Sequence, residues 1–131
     1  MARPSSPGPT DRELAILQVL WKFGDCTVRQ IQEKLHSGRN SKTGYTTTLK
    51  IMQIMHEKGL LKRDESGHAH VYRASVTRDR TQKQIVGRML DQVFNGSAQR
   101  LVLHALSARK STPEELAQIR TLLDKLEGDA K

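Results

Sequence analysis

The chain has 131 residues, with 4% aromatic content, 27% charged content and a net charge of +8. That size allows one domain, or one small domain with an extension, and excludes a large enzyme built around a deep apolar pocket. The basic excess suits either a polyanionic partner, reached through phosphates and counterion release, or a plain basic surface.

Single Cys26 excludes a disulfide framework within the chain and a cysteine-rich metal centre. The Pro-, Ser- and Gly-rich start lacks the apolar run of a secretory signal. No stretch approaches the roughly 18 apolar residues of a membrane span. A cytoplasmic protein without membrane insertion is therefore expected. Its positive charge is uneven. Residues 39–63 carry six basic side chains against the single acidic Glu57, a net +5, which leaves +3 for the rest.

Residues 1–9 read as a disordered tail. A first helix is predicted from a capping box, Thr10 with Glu13, and runs to about Phe23 before Gly24. Leu14, Leu17 and Trp21 share one face, with Ile16 and Leu20 beside them. A second helix starts from Thr27 with Gln30. It carries Val28, Ile31 and Leu35 as a narrow apolar stripe and ends before Ser37. After a polar loop to Gly44, a third helix is predicted from Tyr45 or Thr46 to Lys58, with Gly59 as its C-terminal stop. Thr48, Ile51, Met52 and Met55 mark its buried side. Thr46, Thr47, Lys50, Gln53 and Glu57 mark the other. Leu60–Arg63 and His68–Arg73, around Glu65-Ser66-Gly67, read as a β-hairpin. Three helices and a hairpin over residues 10–76 are the order of a winged helix-turn-helix.

Residues 77–131 read as a separate helical domain of three helices. The first spans about 78–94, carrying Ile85, Val86, Met89, Leu90, Val93 and Phe94, and Asn95-Gly96 stops it. The second spans about 98–108, with Leu101, Val102, Ala105 and Leu106. The third is capped by Thr112, with Pro113 at its first position, and carries Leu116, Ile119, Leu122, Leu123 and Leu126. Alone, these helices leave wide apolar stripes in water, so the segment is expected to be a homodimerisation arm. A self-contained bundle packed on the first domain is the alternative. The fold class is mainly α.

A major groove admits one helix. The side chains expected to read double-stranded DNA are therefore Thr46, Thr47, Leu49, Lys50 and Gln53 near the start of the third helix. N-capping is the other reading for the two threonines. Arg39, Lys42, Lys62, Arg63, His68, His70 and Arg73 are placed in the flanking loop and wing as phosphate contacts. His68-x-His70 lacks a third ligand, so no metal or other cofactor is expected. Nor is an enzyme: no phosphate-binding glycine loop, nucleophile elbow or metallopeptidase motif is present.

From about Thr10 to Leu126 the chain resembles the penicillinase-repressor family. The resemblance is carried by Thr10–Leu14 with Leu20-Trp21, Tyr45–Leu49, His56–Leu61, His68–Arg73 and Val93–Ser97. It implies a homodimer that represses from a palindromic operator, with the third helix in the major groove and dimerisation by the C-terminal helices. In relatives that answer β-lactams it implies a membrane metallopeptidase sensor system whose signal ends in cleavage of the arm. That bond is commonly Asn-Phe, and the matching place here is His104-Ala105. Copper-responsive relatives carry paired C-x-C motifs near the C-terminus, whereas no cysteine follows Cys26. Two arginines frequent in the family's third helix are replaced by Gln53 and Ile54. A protein-binding adaptor on the same scaffold and a nonspecific DNA-coating protein remain the rival readings.

Overall fold

The computed structural model describes residues 8–36 and 44–129. The expected tail lies outside them except for Gly8 and Pro9. Arg39 and Lys42 also lie outside. The elements in chain order are α1 (Asp11–Phe23), β1 (Cys26–Thr27), α2 (Val28–His36), α3 (Tyr45–Glu57), β2 (Leu61–Asp64), β3 (Val71–Ala74), α4 (Arg78–Gln92), α5 (Ala98–Ala108) and α6 (Pro113–Asp129). The chain is mainly α, as the sequence pattern predicts.

Local signals set the helix starts. At α1 the Thr10 hydroxyl accepts from the Glu13 amide at 3.2 Å, and the Glu13 carboxylate accepts from the Thr10 amide at 3.0 Å. Thr27 and Gln30 repeat this reciprocal pair at α2, at 3.2 and 2.9 Å. Ser97 caps α5 and Thr112 caps α6 through the amides of Arg100 and Glu115. Gly59, at φ +85°, takes the left-handed turn that ends α3 and sends the chain into β2.

The core is built from three helices and the sheet. Ile16, Leu17 and Leu20 of α1 and Val28 and Ile31 of α2 meet Met52 and Met55 of α3, with Cys26, Leu61 and Tyr72 from the strands. The sheet order is β1-β3-β2, all antiparallel. Cys26 pairs with Tyr72 in one ladder. Lys62 pairs with Arg73, and Arg63 with Tyr72, in the other. Two features differ from the sequence expectation. The hairpin has a third strand, β1, whose two residues are too few to show a period. And β3 begins only at Val71, so His68 and His70 stand in the wing loop. The Asp64 carboxylate accepts from the Ser66 amide and hydroxyl at 2.9 and 2.7 Å, and this turns the chain away from the ladder.

The chain divides into two compact units, the first ending at Val86 and the second starting at Gly87. The division falls inside α4, ten residues beyond the one read from the sequence. The segment between belongs to the first unit by its contacts. The Trp21 indole N–H donates to the Val76 carbonyl at 2.9 Å, and the Arg78 guanidinium lies 5.9 Å from the Trp21 ring centroid. Thr81 is buried. In the second unit no described residue is buried. Its internal ties include the helix caps, the Asn95-Gly96 turn and a tilted ring contact between Phe94 and His104 at 5.8 Å.

This division carries a prediction for truncation. A chain cut after Ser75 loses the acceptor of the Trp21 indole, whereas a chain cut after Val86 keeps it. Loss of this hydrogen bond at a half-buried indole costs about 1 kcal/mol. The longer fragment should therefore melt about 4 °C above the shorter one by circular dichroism. Equal melting temperatures would show that the Trp21–Val76 hydrogen bond adds nothing to the stability of the first unit.

Candidate nucleic-acid interface

α3 is held from behind. Thr48, Met52 and Met55, spaced four and three apart, are all 0–1% exposed. The Thr48 hydroxyl also donates to the Gly44 carbonyl at 3.0 Å. With that face fixed in the core, Thr46, Thr47, Lys50, Gln53 and Ile54 must point outward, and all five are exposed. Leu49 is half-buried beside them. The helix cap is Gly44, which offers no side-chain bond. The threonine hydroxyls are therefore not the caps that the alternative reading proposed.

Two of the cations that make residues 39–63 basic are already committed. The Lys58 ammonium lies 2.8 and 3.1 Å from the two Glu13 carboxylate oxygens. Glu13 is only 4% exposed, so its α1 cap and its ion pair together tie the start of α1 to the end of α3. The Arg63 guanidinium meets the Glu65 carboxylate at 2.5 Å. Hydrogen bonding with Tyr72 and then with Glu65 holds it above its ordinary range, firmly charged. Lys50 and Lys62 are exposed, and the ion pairs among the described residues involve neither.

Two recesses border the wing. One lies against β2 and β3 and is lined by Asp25, Lys62, Arg63, Asp64, Glu65 and Arg73 with Val71. Its charges are mixed. Lys62 and Arg73 face each other across the ladder, with three carboxylates around them. The Ser66 hydrogen bonds keep the Asp64 carboxyl below its usual range and so ionised. The second recess lies between the starts of α2 and α3 and the wing loop. There Arg29, Tyr45 and Leu49 meet His68 and His70, and no carboxylate lines it. The Arg29 guanidinium sits 5.7 Å from the Tyr45 ring centroid.

The structure therefore brings His68 and His70 to α3 and sets Lys62, Arg63 and Arg73 around the other recess. Sequence reading missed Arg29. Its neighbours Val28 and Ile31 mark it as an outward residue of α2, but its approach to Tyr45 is a tertiary fact. The pairing of Lys58 with Glu13 was missed for the same reason. Cys26 is a structural thiol. Burial pushes it above the usual thiol range, and its Sγ donates to the Gly24 carbonyl at 3.3 Å. Among the described residues no group of three or more His, Cys, Asp or Glu could hold a metal, and no helix is long and apolar enough to cross a membrane.

The candidate arm residues behave differently from the core. Val86, Met89, Val93, Val102, Leu106, Leu122, Leu123 and Leu126 are 38–67% exposed. Ile85, Leu90, Phe94, Leu101, Leu116 and Ile119 are half-buried. His104 and Ala105 are exposed in the middle of α5.

A solved structure of a MarR family protein from Bacillus stearothermophilus has the same fold, with a TM-score of 0.52 at 21% identity. The likeness covers 93% of this chain and 75% of that one. Three helices with a small antiparallel wing and an outward polar row on α3 make a winged helix, and the family that its sequence matches makes it a DNA-binding regulator of transcription. The model of the penicillinase repressor family matches residues 9–125. A penicillinase repressor from Bacillus licheniformis is 23% identical over 120 residues, which span 90% of this chain and 91% of that protein. This chain belongs to the penicillinase repressor family, whose members regulate transcription and are not enzymes.

The two uses of lysine are separable by stability. Lys58→Ala strands the buried Glu13 carboxylate and should cost about 2 kcal/mol in urea unfolding. That is below the loss for a fully buried pair, because the lysine side chain is 36% exposed. Lys50→Ala and Lys62→Ala should stay within about 0.5 kcal/mol of the parent. Equal losses at all three would mean that the Glu13 pair contributes nothing to the fold.

Proposed function

We propose that this chain is a sequence-specific repressor that acts as a homodimer on a palindromic operator, with α3 of each protomer in a major groove. One observation carries the reading. The polar row Thr46, Thr47, Lys50 and Gln53 is fully outward on a helix whose opposite face is locked in the core. Lys suits a guanine edge, Gln suits adenine, and threonine suits a phosphate or a thymine methyl. Exposed Ile54 adds an apolar contact for thymine methyls.

Dimerisation is supported by the second unit, where no described residue is buried and leucines of α5 and α6 stand exposed. A two-fold dimer covers such faces and spaces its half-sites by about one helical turn or a multiple of it. Release of DNA by a membrane metallopeptidase sensor system, ending in cleavage at His104-Ala105, is the route the family resemblance offers. That bond lies inside α5, so a protease must first unwind the helix. The intact mass of the protein recovered from induced cells tests this, and an uncut chain would reject it.

A gel shift on the DNA upstream of its own gene tests the main reading. Salt-sensitive binding that prefers that DNA over unrelated sequence is expected. Lys50→Ala should cost about 1–3 kcal/mol on the preferred DNA and much less elsewhere. Equal affinity for every sequence would instead favour a nonspecific coating protein, and shallow salt dependence would favour a protein-binding adaptor. In sedimentation the full chain should run as a dimer, and Leu122→Lys with Leu126→Lys should make it a monomer. A double variant that remains dimeric would remove the arm from the proposal.

A further inference from the structure

The two recesses beside the wing differ in what they can attract. The one against β2 and β3 sets Asp25, Asp64 and Glu65 among its three cations. A phosphate entering it meets carboxylates as well as cations. The recess between α2, α3 and the wing loop presents Arg29, His68 and His70 and has no acidic lining. The ion pairs found among the described residues join Lys58 to Glu13 and Arg63 to Glu65. Neither involves Arg29, although Glu33 stands one turn further along α2.

Arg29 is also partly ordered in advance. Its guanidinium rests 5.7 Å from the Tyr45 ring centroid. The ring restrains the side chain without consuming its N–H donors, so less rotamer freedom is lost when an anion binds. The position suits a nucleic-acid backbone. A helix in a major groove and a wing over the next groove straddle the one strand that separates those grooves. In that docking the strand would run through the space between α3 and the wing loop.

We infer that Arg29, positioned by Tyr45, grips a phosphate of the DNA strand lying between α3 and the wing, and that this acid-free recess carries more of the backbone contact than the Lys62–Arg73 recess. The inference rests on the repressor reading above. It adds a residue from α2 to an interface otherwise assigned to α3 and the wing.

The test is fluorescence anisotropy with the full chain. The probes are a duplex from upstream of its own gene and a mixed-sequence duplex of equal length, each titrated at several salt concentrations. Arg29→Gln should weaken binding to both about tenfold. It should also lower the slope of log affinity against log salt by about one. Arg29→Lys keeps the charge and should keep the slope. Tyr45→Leu removes the ring that restrains Arg29 and should weaken binding to both duplexes, by less than Arg29→Gln does. Lys62→Gln should cost less than Arg29→Gln. Arg29 is exposed, so unchanged melting of these variants is expected and separates binding from folding. Parent protein that binds both duplexes while Arg29→Gln retains its affinity and slope would overturn the inference alone. A larger loss at Lys62→Gln would assign the backbone contact to the other recess. Parent protein that binds neither duplex would overturn the repressor reading and this inference with it.

Discussion

The burial of one face of α3 is the constraint on which the rest depends. Thr48, Met52 and Met55 lie within one stripe of the helix and are almost wholly removed from solvent. Close packing leaves such a stripe little freedom to rotate. The opposite stripe is therefore held outward at a fixed angle, and base-reading side chains need that fixity. α1 and α2 supply the wall behind α3. Gly59 then turns the chain so that β2 and β3 emerge beside the same helix. The ion pair between Lys58 and buried Glu13 ties the far end of α3 to the start of α1. The recognition surface is thus a consequence of core packing.

Charge shows how pairing changes the meaning of composition. The segment 39–63 is basic on a formal count. Yet Lys58 is committed to a carboxylate from α1, and Arg63 to Glu65 and Tyr72. Lys62 and Arg73 stand in a recess with three carboxylates. Meanwhile Arg29, outside that segment, lies in a recess without an acidic group. Long-range attraction follows the summed charge, so the net excess still favours a polyanion. Where a phosphate binds is decided by the local balance.

The two units use the same kind of amphipathic pattern for different ends. α1 and α6 both carry leucine and isoleucine at helical spacing. In α1 that stripe is buried by α2, α3 and the sheet. In α6 Leu122, Leu123 and Leu126 remain more than half exposed. A helical period states only that one face is apolar. It does not state whether the same chain or another copy covers it, and the proposed dimer answers that for the second unit.

Much of this protein was determined by the sequence alone, because the signals are local. Capping residues three apart set the starts of α1, α2 and α6, and glycines that accept positive φ end α1 and α3. The apolar stripe of α3 showed which of its side chains face outward. Motifs spread from Thr10 to Leu126 indicated the family. Other features required the folded chain, because they join residues far apart in sequence. β1 has two residues and exists only by pairing with β3. The Trp21 indole finds its acceptor at the Val76 carbonyl, 55 residues away. Glu13 meets Lys58 across 45 residues. Arg29 reaches the α3 face only because α2 and α3 share a core that brings their first turns together. No local period encodes such meetings. They follow from the packing of a core that the periods only make possible.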